Sequence, residues 1–373
     1  MLGGGKARLA VSTADEPKSR GGSRNSRGPG RRAPSRPRVL TLLRAGLLRP
    51  EFTAVIGTVV VFCYFAFFAG SSGFLTETGT RNYLSVAAEI GIIAAPITLL
   101  LIAGEFDLSV GAMMGTGGIL FAYPVVYWGW AILPAVGLAL AGACIVGLVN
   151  GLFVTKTNVP SFIITLAMMF ILSGVTLAVT NSLTGGVSIS GIESRLQGDP
   201  LLPLLTGKIF GFPVSICWWL GWTACAALIL DRARVGNWIY ATGGNSEAAV
   251  KAGVPIDRIK VALFIGTSIA ATLTGILVIF VADVAAVNAG TGAGTGKEFQ
   301  AAVAAVIGGA LITGGYGSPV GTAFGALLFG IVNQGFFYTS INDDWFAAFV
   351  GAMLLAAVLI NRYTRRISSK GTQ

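Results

Sequence analysis

Residues 52–360 alternate between long apolar runs, nearly free of charge, and short polar breaks. The runs fall near 52–70, 84–103, 108–128, 130–155, 159–180, 214–230, 261–281, 299–312, 320–338 and 346–360. A helix needs roughly twenty apolar residues to cross a bilayer. The pattern therefore predicts an all-α polytopic membrane protein with about ten transmembrane helices. The run at 299–312 is short, which predicts a helix with little tilt or one whose ends sit inside protein.

Basic residues orient these spans, because cytosolic segments are enriched in Lys and Arg. With the N-terminus inside, 22 of the 26 Lys and Arg fall on the inner side. Only Arg81, Arg195, Lys208 and Lys297 are left to the outer loops. Acids lean the other way, with Glu193 and Asp199 in one outer loop and Asp343 and Asp344 in another. Dropping one span would put either the 232–260 loop or the basic C-terminal tail on the wrong side. The expectation is an even count with both termini cytoplasmic. The chain divides into a disordered basic cytoplasmic arm (1–50), a transmembrane domain (51–362) with a cytoplasmic loop at 231–260, and a short cytoplasmic tail (363–373).

Composition narrows the classes of function. The hydrophobic fraction is 54%, the charged fraction 11%, and there is no His; mean hydropathy is +0.75. A soluble chain of this length would need a far more charged surface. Without His, common triad chemistry and His-based metal sites are excluded. Cys63, Cys144, Cys217 and Cys225 lie in apolar segments with no CxxC pair, so ordinary packing is their expected role. Gly296-Lys297 ends a Gly-rich stretch, but Glu298 follows where a phosphate loop needs Ser or Thr, and its leading position is Thr291. The chain itself shows no nucleotide site, metal site or cofactor site, so any ATP-driven work belongs to a partner.

The net charge of +10 is concentrated: twelve Lys and Arg lie between Lys6 and Arg49 in a Gly-, Ser- and Pro-rich stretch. That composition cannot build a core. No aromatic residue precedes Phe52 to stack on bases, which argues against nucleic acid. The arm reads as a cytosolic tail touching anionic membrane lipid.

Three acids lie at or near membrane depth: Glu89, Glu105 and Asp107. A carboxylate in hydrocarbon is costly and is a functional candidate by default. Glu89 falls about one turn into its run, where it either reaches the outer interface or serves function. Glu105 and Asp107 lie in the break Ala103-Gly104-Glu105-Phe106-Asp107-Leu108-Ser109-Val110-Gly111. There Asp107 and Ser109 read equally as a helix start facing the positive dipole end and as pathway or gate contacts.

This stretch resembles the G-x-D-L-S-V-G signature of the bacterial ABC-transporter permeases for ribose, xylose and related monosaccharides. Val159-Pro160-Ser161-Phe162-Ile163-Ile164-Thr165-Leu166 is similar to their V-P-x-F-I-x-T-L helix start. Gly243-Gly244-Asn245-Ser246-Glu247-Ala248-Ala249, with Gly253 four positions later, resembles their cytosolic G-G-N-x-E-A-A-x-x-x-G motif. Ala304-Ala305-Val306-Ile307-Gly308-Gly309 through Gly314-Gly315-Tyr316-Gly317-Ser318 resembles their A-A-V-x-G-G…G-G-x-G-S segment. The four matches occur in order and cover roughly residues 50–362. Glu105-Phe106 departs from the more usual Gly-Ile, and the basic arm is longer than typical.

The resemblance implies a permease architecture like that of vitamin-B12 importers and a location in the bacterial inner membrane. It also implies an ATP-binding cassette ATPase using ATP-Mg, a periplasmic or extracellular substrate-binding protein, and a second permease copy or close paralogue. It makes Gly244, Asn245, Glu247, Ala248, Ala249 and Gly253 the coupling element for the ATPase. Glu105, Asp107, Ser109, Phe162 and Thr165 become candidates for the pathway or gate.

The residues support this independently. The loop after Arg232 is the longest on its side and the only inner loop able to hold a helix, with Ser246 as its cap and Gly253 as its end. The outer loop at 181–213 reads either as part of a docking surface for a binding protein or as a plain solvated loop with a short interfacial helix. Gly147-x-x-x-Gly151 and Gly321-x-x-x-Gly325 read as close helix packing. Ser109-Val110-Gly111-x-x-x-Gly115 is echoed by Pro319-Val320-Gly321-x-x-x-Gly325, both opening outward-going helices. The expected function is the membrane subunit of an ATP-driven importer for a monosaccharide or related polyol, and not an enzyme. The alternative is an ion-coupled secondary transporter using one of the three acids.

Overall fold

A computed structural model describes residues 50–157, 159–287, 296–339 and 345–370. The basic arm, Thr291, Asp343 and Asp344 lie outside the described residues. The described chain is almost entirely helical. The helices are α1 (Pro50–Ala69), α2 (Glu77–Ile102), α3 (Val110–Trp128), α4 (Ile132–Lys156), α5 (Ser161–Thr184), two short turns α6 (Ile192–Arg195) and α7 (Pro203–Thr206), α8 (Ser215–Arg232), α9 (Arg234–Gly244), α10 (Ser246–Lys251), α11 (Ile256–Ala282), α12 (Lys297–Ile307), α13 (Pro319–Phe337) and α14 (Trp345–Lys370). Seven of them are long and apolar enough to cross a membrane, and Ala348–Leu359 is a shorter apolar stretch within α14.

Every predicted run coincides with a helix, but two differ in ways that matter. The run expected at 299–312 is helical only over Lys297–Ile307, 11 residues. At 1.5 Å per residue that is about 16 Å, roughly half of a hydrocarbon core. Residues 308–318 continue as an irregular loop, because Gly309, Gly314 and Gly315 adopt positive φ. The second difference is the start of α2. Thr76 accepts the Gly79 amide and caps the helix at Glu77, seven residues before the apolar run begins. Glu89 therefore lies midway along a 26-residue helix, not one turn from its end.

Charged contacts show which loops share an end. Lys156 pairs with Asp257 and Lys260 with Glu105, so the end of α4, the start of α11 and the break after α2 lie together at one basic end. At the opposite end Asp199 accepts the Ile132 amide and Asp283 accepts the Glu193 amide. The 181–213 segment there carries the short helical turns α6 and α7 and short paired strands. Strand β1 (Ser188–Ser190) pairs antiparallel with a strand after α11 (Val284–Ala286), and β2 (Lys208–Ile209) pairs with β3 (Phe212–Pro213). Ile189, Ile192, Leu196 and Leu205 are buried beneath it.

Helix α2 forms the centre: 83% of its apolar window is buried, against 17% for α5, whose Phe170, Ile171 and Val175 face outward. Small residues let neighbours close on one another. A Cβ at Gly147 would meet the backbone of Ile265, and one at Gly151 that of Val261, so this spacing packs α4 on α11 within the chain. Gly321 and Gly325 likewise seat α13 against Gly308 and Ala304. Hydroxyl pairs add cross-helix hydrogen bonds, Thr98 to Thr322 at 2.7 Å and Thr116 to Thr176 at 2.9 Å.

Candidate functional site

The break between α2 and α3 is extended over residues 105–108 yet enclosed by protein. Irregular backbone at membrane depth is tolerated only where protein satisfies its polar groups. Here α5 does so: Ser161 accepts the Phe106 amide at 3.0 Å, and Thr165 accepts the Leu108 amide at 3.1 Å. Asp107 is 2% exposed, and both of its oxygens are engaged. One accepts the Ser109 amide (2.9 Å) and hydroxyl (2.6 Å); the other accepts the Thr267 hydroxyl of α11 (2.6 Å). Asn150 of α4 donates to the Ser109 hydroxyl at 2.9 Å. One carboxylate thus ties the start of α3 to α4 and α11. Of the predicted pathway residues, Glu105, Asp107, Ser109 and Thr165 come together here. Phe162 does not: it is 50% exposed and points away from the cluster.

Below this break three glycine segments meet backbone to backbone. The Gly315 amide donates to the Ile102 carbonyl at 2.8 Å. A Cβ on Gly243 would overlap that same carbonyl, and one on Gly314 would lie about 3 Å from both Gly104 and Gly243. Tyr240 also donates to the Gly317 carbonyl at 3.1 Å. The end of α9 is therefore joined to the end of α2 and to the loop entering α13.

Helix α10 projects from this joint. Its cap is Asn245, whose side chain accepts the Ala248 amide at 3.0 Å; Ser246 instead donates to the Thr242 carbonyl. The expected Ser246 cap is corrected by one residue, because the extended backbone at the cap position falls on Asn245. At the other end Gly253 adopts φ +80, with its amide bonded to Val250 and the Val254 amide to Ala249, a Schellman stop. Ala249 is buried, while Glu247, Ala248 and Val250 are exposed, Val250 at 60%.

A second charged locus lies halfway along α2. Lys297, expected in an outer loop, opens the half-length helix α12 and pairs with Glu89 at 2.8 Å. Both side chains are 20% exposed. The next residue, Glu298, is buried, with one carboxylate oxygen lacking a hydrogen-bond partner. Among the described residues no cluster of His, Cys, Asp and Glu could hold a metal ion.

The sequence of residues 79–358 matches the family described as the permease component of the branched-chain amino acid transport system. The chain belongs to this permease family. It is 31% identical over 320 residues to a probable ABC transporter permease protein, YphD, of Escherichia coli K12, covering 84% of this chain and 90% of the relative. It is 33% identical over 293 residues to the ribose import permease protein RbsC of the same strain, covering 78% and 88%. It is 30% identical over 328 residues to the xylose/arabinose import permease protein XylH of Sulfolobus acidocaldarius, covering 86% and 87%. No solved structure matches the chain.

Several polar contacts of the permease escape a motif-based reading. Asn150, Thr267, Ser161 and Lys260 belong to spans whose average character is apolar, and only their partners show their purpose. One signal was available for the outer half of α2. Asn82, Ser85 and Glu89 recur at spacings of three and four, a polar stripe on one helix face. It is hidden when the apolar run is taken to start at Leu84.

Proposed function

We propose that the permease forms the transmembrane pathway of an ATP-driven ABC importer for a monosaccharide or related polyol in a bacterial inner membrane. The observation that carries this is the joint at Gly243, where an exposed short helix is locked to the ends of the central helices. An ATPase pushing on Glu247, Ala248 and Val250 would transmit its motion through Gly243–Gly244 to α2 and α13, without flexible linkers to absorb it. Glu247, Ala248, Ala249 and Gly253 then act as the coupling element, with Asn245 holding its first turn. ATP-Mg is bound by the partner, and this chain holds no cofactor.

The relatives named for ribose and xylose/arabinose import support a sugar-sized neutral solute, as does a pathway with few charges. Ten crossings with both termini cytoplasmic fit the helix order. An architecture like that of vitamin-B12 importers, a second permease copy, a docked binding protein over the folded 181–213 cap and a basic cytosolic arm complete the reading. Glu105, Asp107, Ser109 and Thr165 serve as the rigid frame beside the pathway, and Phe162 faces lipid or a second copy.

The test is uptake of labelled ribose or xylose into vesicles holding the permease with its ATPase and binding protein. Uptake is expected to require ATP and to survive an uncoupler. Glu247→Trp combined with Gly253→Val is expected to abolish it; transport at the wild-type rate in that variant would sink the coupling assignment. Uptake that ignores ATP but collapses with the uncoupler would replace the importer with an ion-coupled carrier.

A further inference from the structure

A cavity of about 460 Å³ opens beside the outer half of α2. It lies within the range of roughly 300–1,000 Å³ typical of small-molecule sites. Asn82, Ser85 and Glu89 line it along one stripe of α2, with Gln334 from α13, Thr206 from the folded outer cap, and Phe280 from α11. Glu89 sits about 18 Å from the start of its helix, so the cavity leads from the outer end toward mid-membrane. Beneath it Glu89 is held by Lys297, the first residue of the half-length helix α12.

An ion pair at this depth is expensive to bury, and replacing it with apolar residues is often neutral or stabilising. Packing alone does not explain it. What it supplies is a carboxylate at the cavity wall that only accepts, held in place by the Lys297 ammonium. Hydroxyls of a polyol, each able to donate, match it. The amides of Asn82 and Gln334 offer further partners, whereas the Ser85 and Thr206 hydroxyls are spent on the Arg81 and Leu202 carbonyls, and Phe280 offers an apolar wall to the C–H face of a sugar ring.

We infer that this cavity is the outer half of the solute pathway, and that Glu89, held in place by Lys297, is its hydrogen-bonding floor for a neutral polyhydroxylated solute. The inference rests on the importer reading and adds to it a route and a contact. Because the pair also anchors α12, and the loop that follows it (308–318) enters the glycine joint, this short helix links solute contact to the ATPase-driven joint.

The experiment uses vesicles with the permease, its ATPase and its binding protein, and whichever of ribose or xylose the wild type takes up. Ser85→Cys is a minimal change and is expected to transport normally. After reaction with a bulky membrane-impermeant thiol reagent, its uptake is expected to stop while hydrolysis stimulated by the loaded binding protein continues. The wild type, treated identically, controls for Cys63, Cys144, Cys217 and Cys225. Uptake unchanged in fully labelled Ser85→Cys would overturn the route, and so would loss of stimulated hydrolysis together with uptake. Glu89→Gln and Lys297→Met are each expected to lower uptake at least about tenfold, the effect of losing one hydrogen bond to a charged group, with hydrolysis retained. Full recovery in the charge-reversed double variant Glu89→Lys, Lys297→Glu would reduce the pair to a helix anchor and overturn the floor. A wild type without ATP-dependent uptake refutes the importer itself, whereas an active wild type with an unblocked Ser85→Cys refutes the cavity alone.

Discussion

Asp107 and Glu89 are both acids at membrane depth, one in the break that follows α2 and one halfway along it, and they are held in opposite ways. Asp107 is 2% exposed and fully occupied by the Ser109 amide and hydroxyl and the Thr267 hydroxyl. Glu89 is 20% exposed, has a cationic partner, and borders a cavity. The first arrangement leaves no acceptor for a passing solute and binds three helices to one point. The second leaves hydrogen-bonding capacity facing open space. An intramembrane carboxylate is therefore not one kind of feature: its partners and exposure decide whether it frames a pathway or lines it.

The largest effect that would break this contrast lies at the sealed acid. Asp107→Ala strands the Ser109 amide and hydroxyl in a closed site, while Thr267 falls back on the Phe264 carbonyl at 2.9 Å. It should cost about 3 kcal/mol or more, measured by SDS-titrated unfolding of the purified permease; Asp107→Asn should cost less, since one acceptor survives. If Asp107→Ala unfolds like wild type but transports poorly, the two acids have been assigned to the wrong roles. Glu89→Gln keeps an oxygen that accepts from Lys297, so it should impair uptake at a smaller stability cost than Asp107→Ala.

The Thr98–Thr322 pair sharpens the comparison, because it is sealed like Asp107 but neutral. Thr98→Val should cost about 1 kcal/mol by leaving Thr322 short of a partner, and the double change to Val should cost less than twice that; the same unfolding titration reads both. Smallest of all is Glu247, whose ion pair with Lys251 is solvated, at 81% and 74% exposure. Glu247→Gln should change stability by no more than about 0.5 kcal/mol. A larger shift would mean that α10 is held by more than its cap and its glycine stop.

Much of this was legible along the chain. The apolar runs marked the helices, the break at Gly104–Gly111 stood out as polar, and the Gly-Gly-Asn segment announced a short helix with a glycine end. The cap moved by one residue because Ser and Asn are both good caps, and only backbone geometry chooses between them. Lys297 was misplaced for a stronger reason. Charge counting assumes that a basic residue between runs lies in water, and Lys297 violates that assumption by opening a half-length helix and pairing with a partner 208 positions away.

By itself the sequence determined the solvent, the helical class and the family, because these follow from local composition, run length and short ordered motifs. Only the tertiary structure decided which acid is sealed and which faces open space. Burial and pairing depend on side chains from α4, α5, α11 and α12 arriving at α2 and at the break that follows it. The same holds for the glycines at 104, 243 and 314. Their spacing in sequence is silent, and their meaning appears only where three backbones meet: no side chain fits at Gly243, Gly314 is tightly enclosed, and Gly104 and Gly314 hold positive φ.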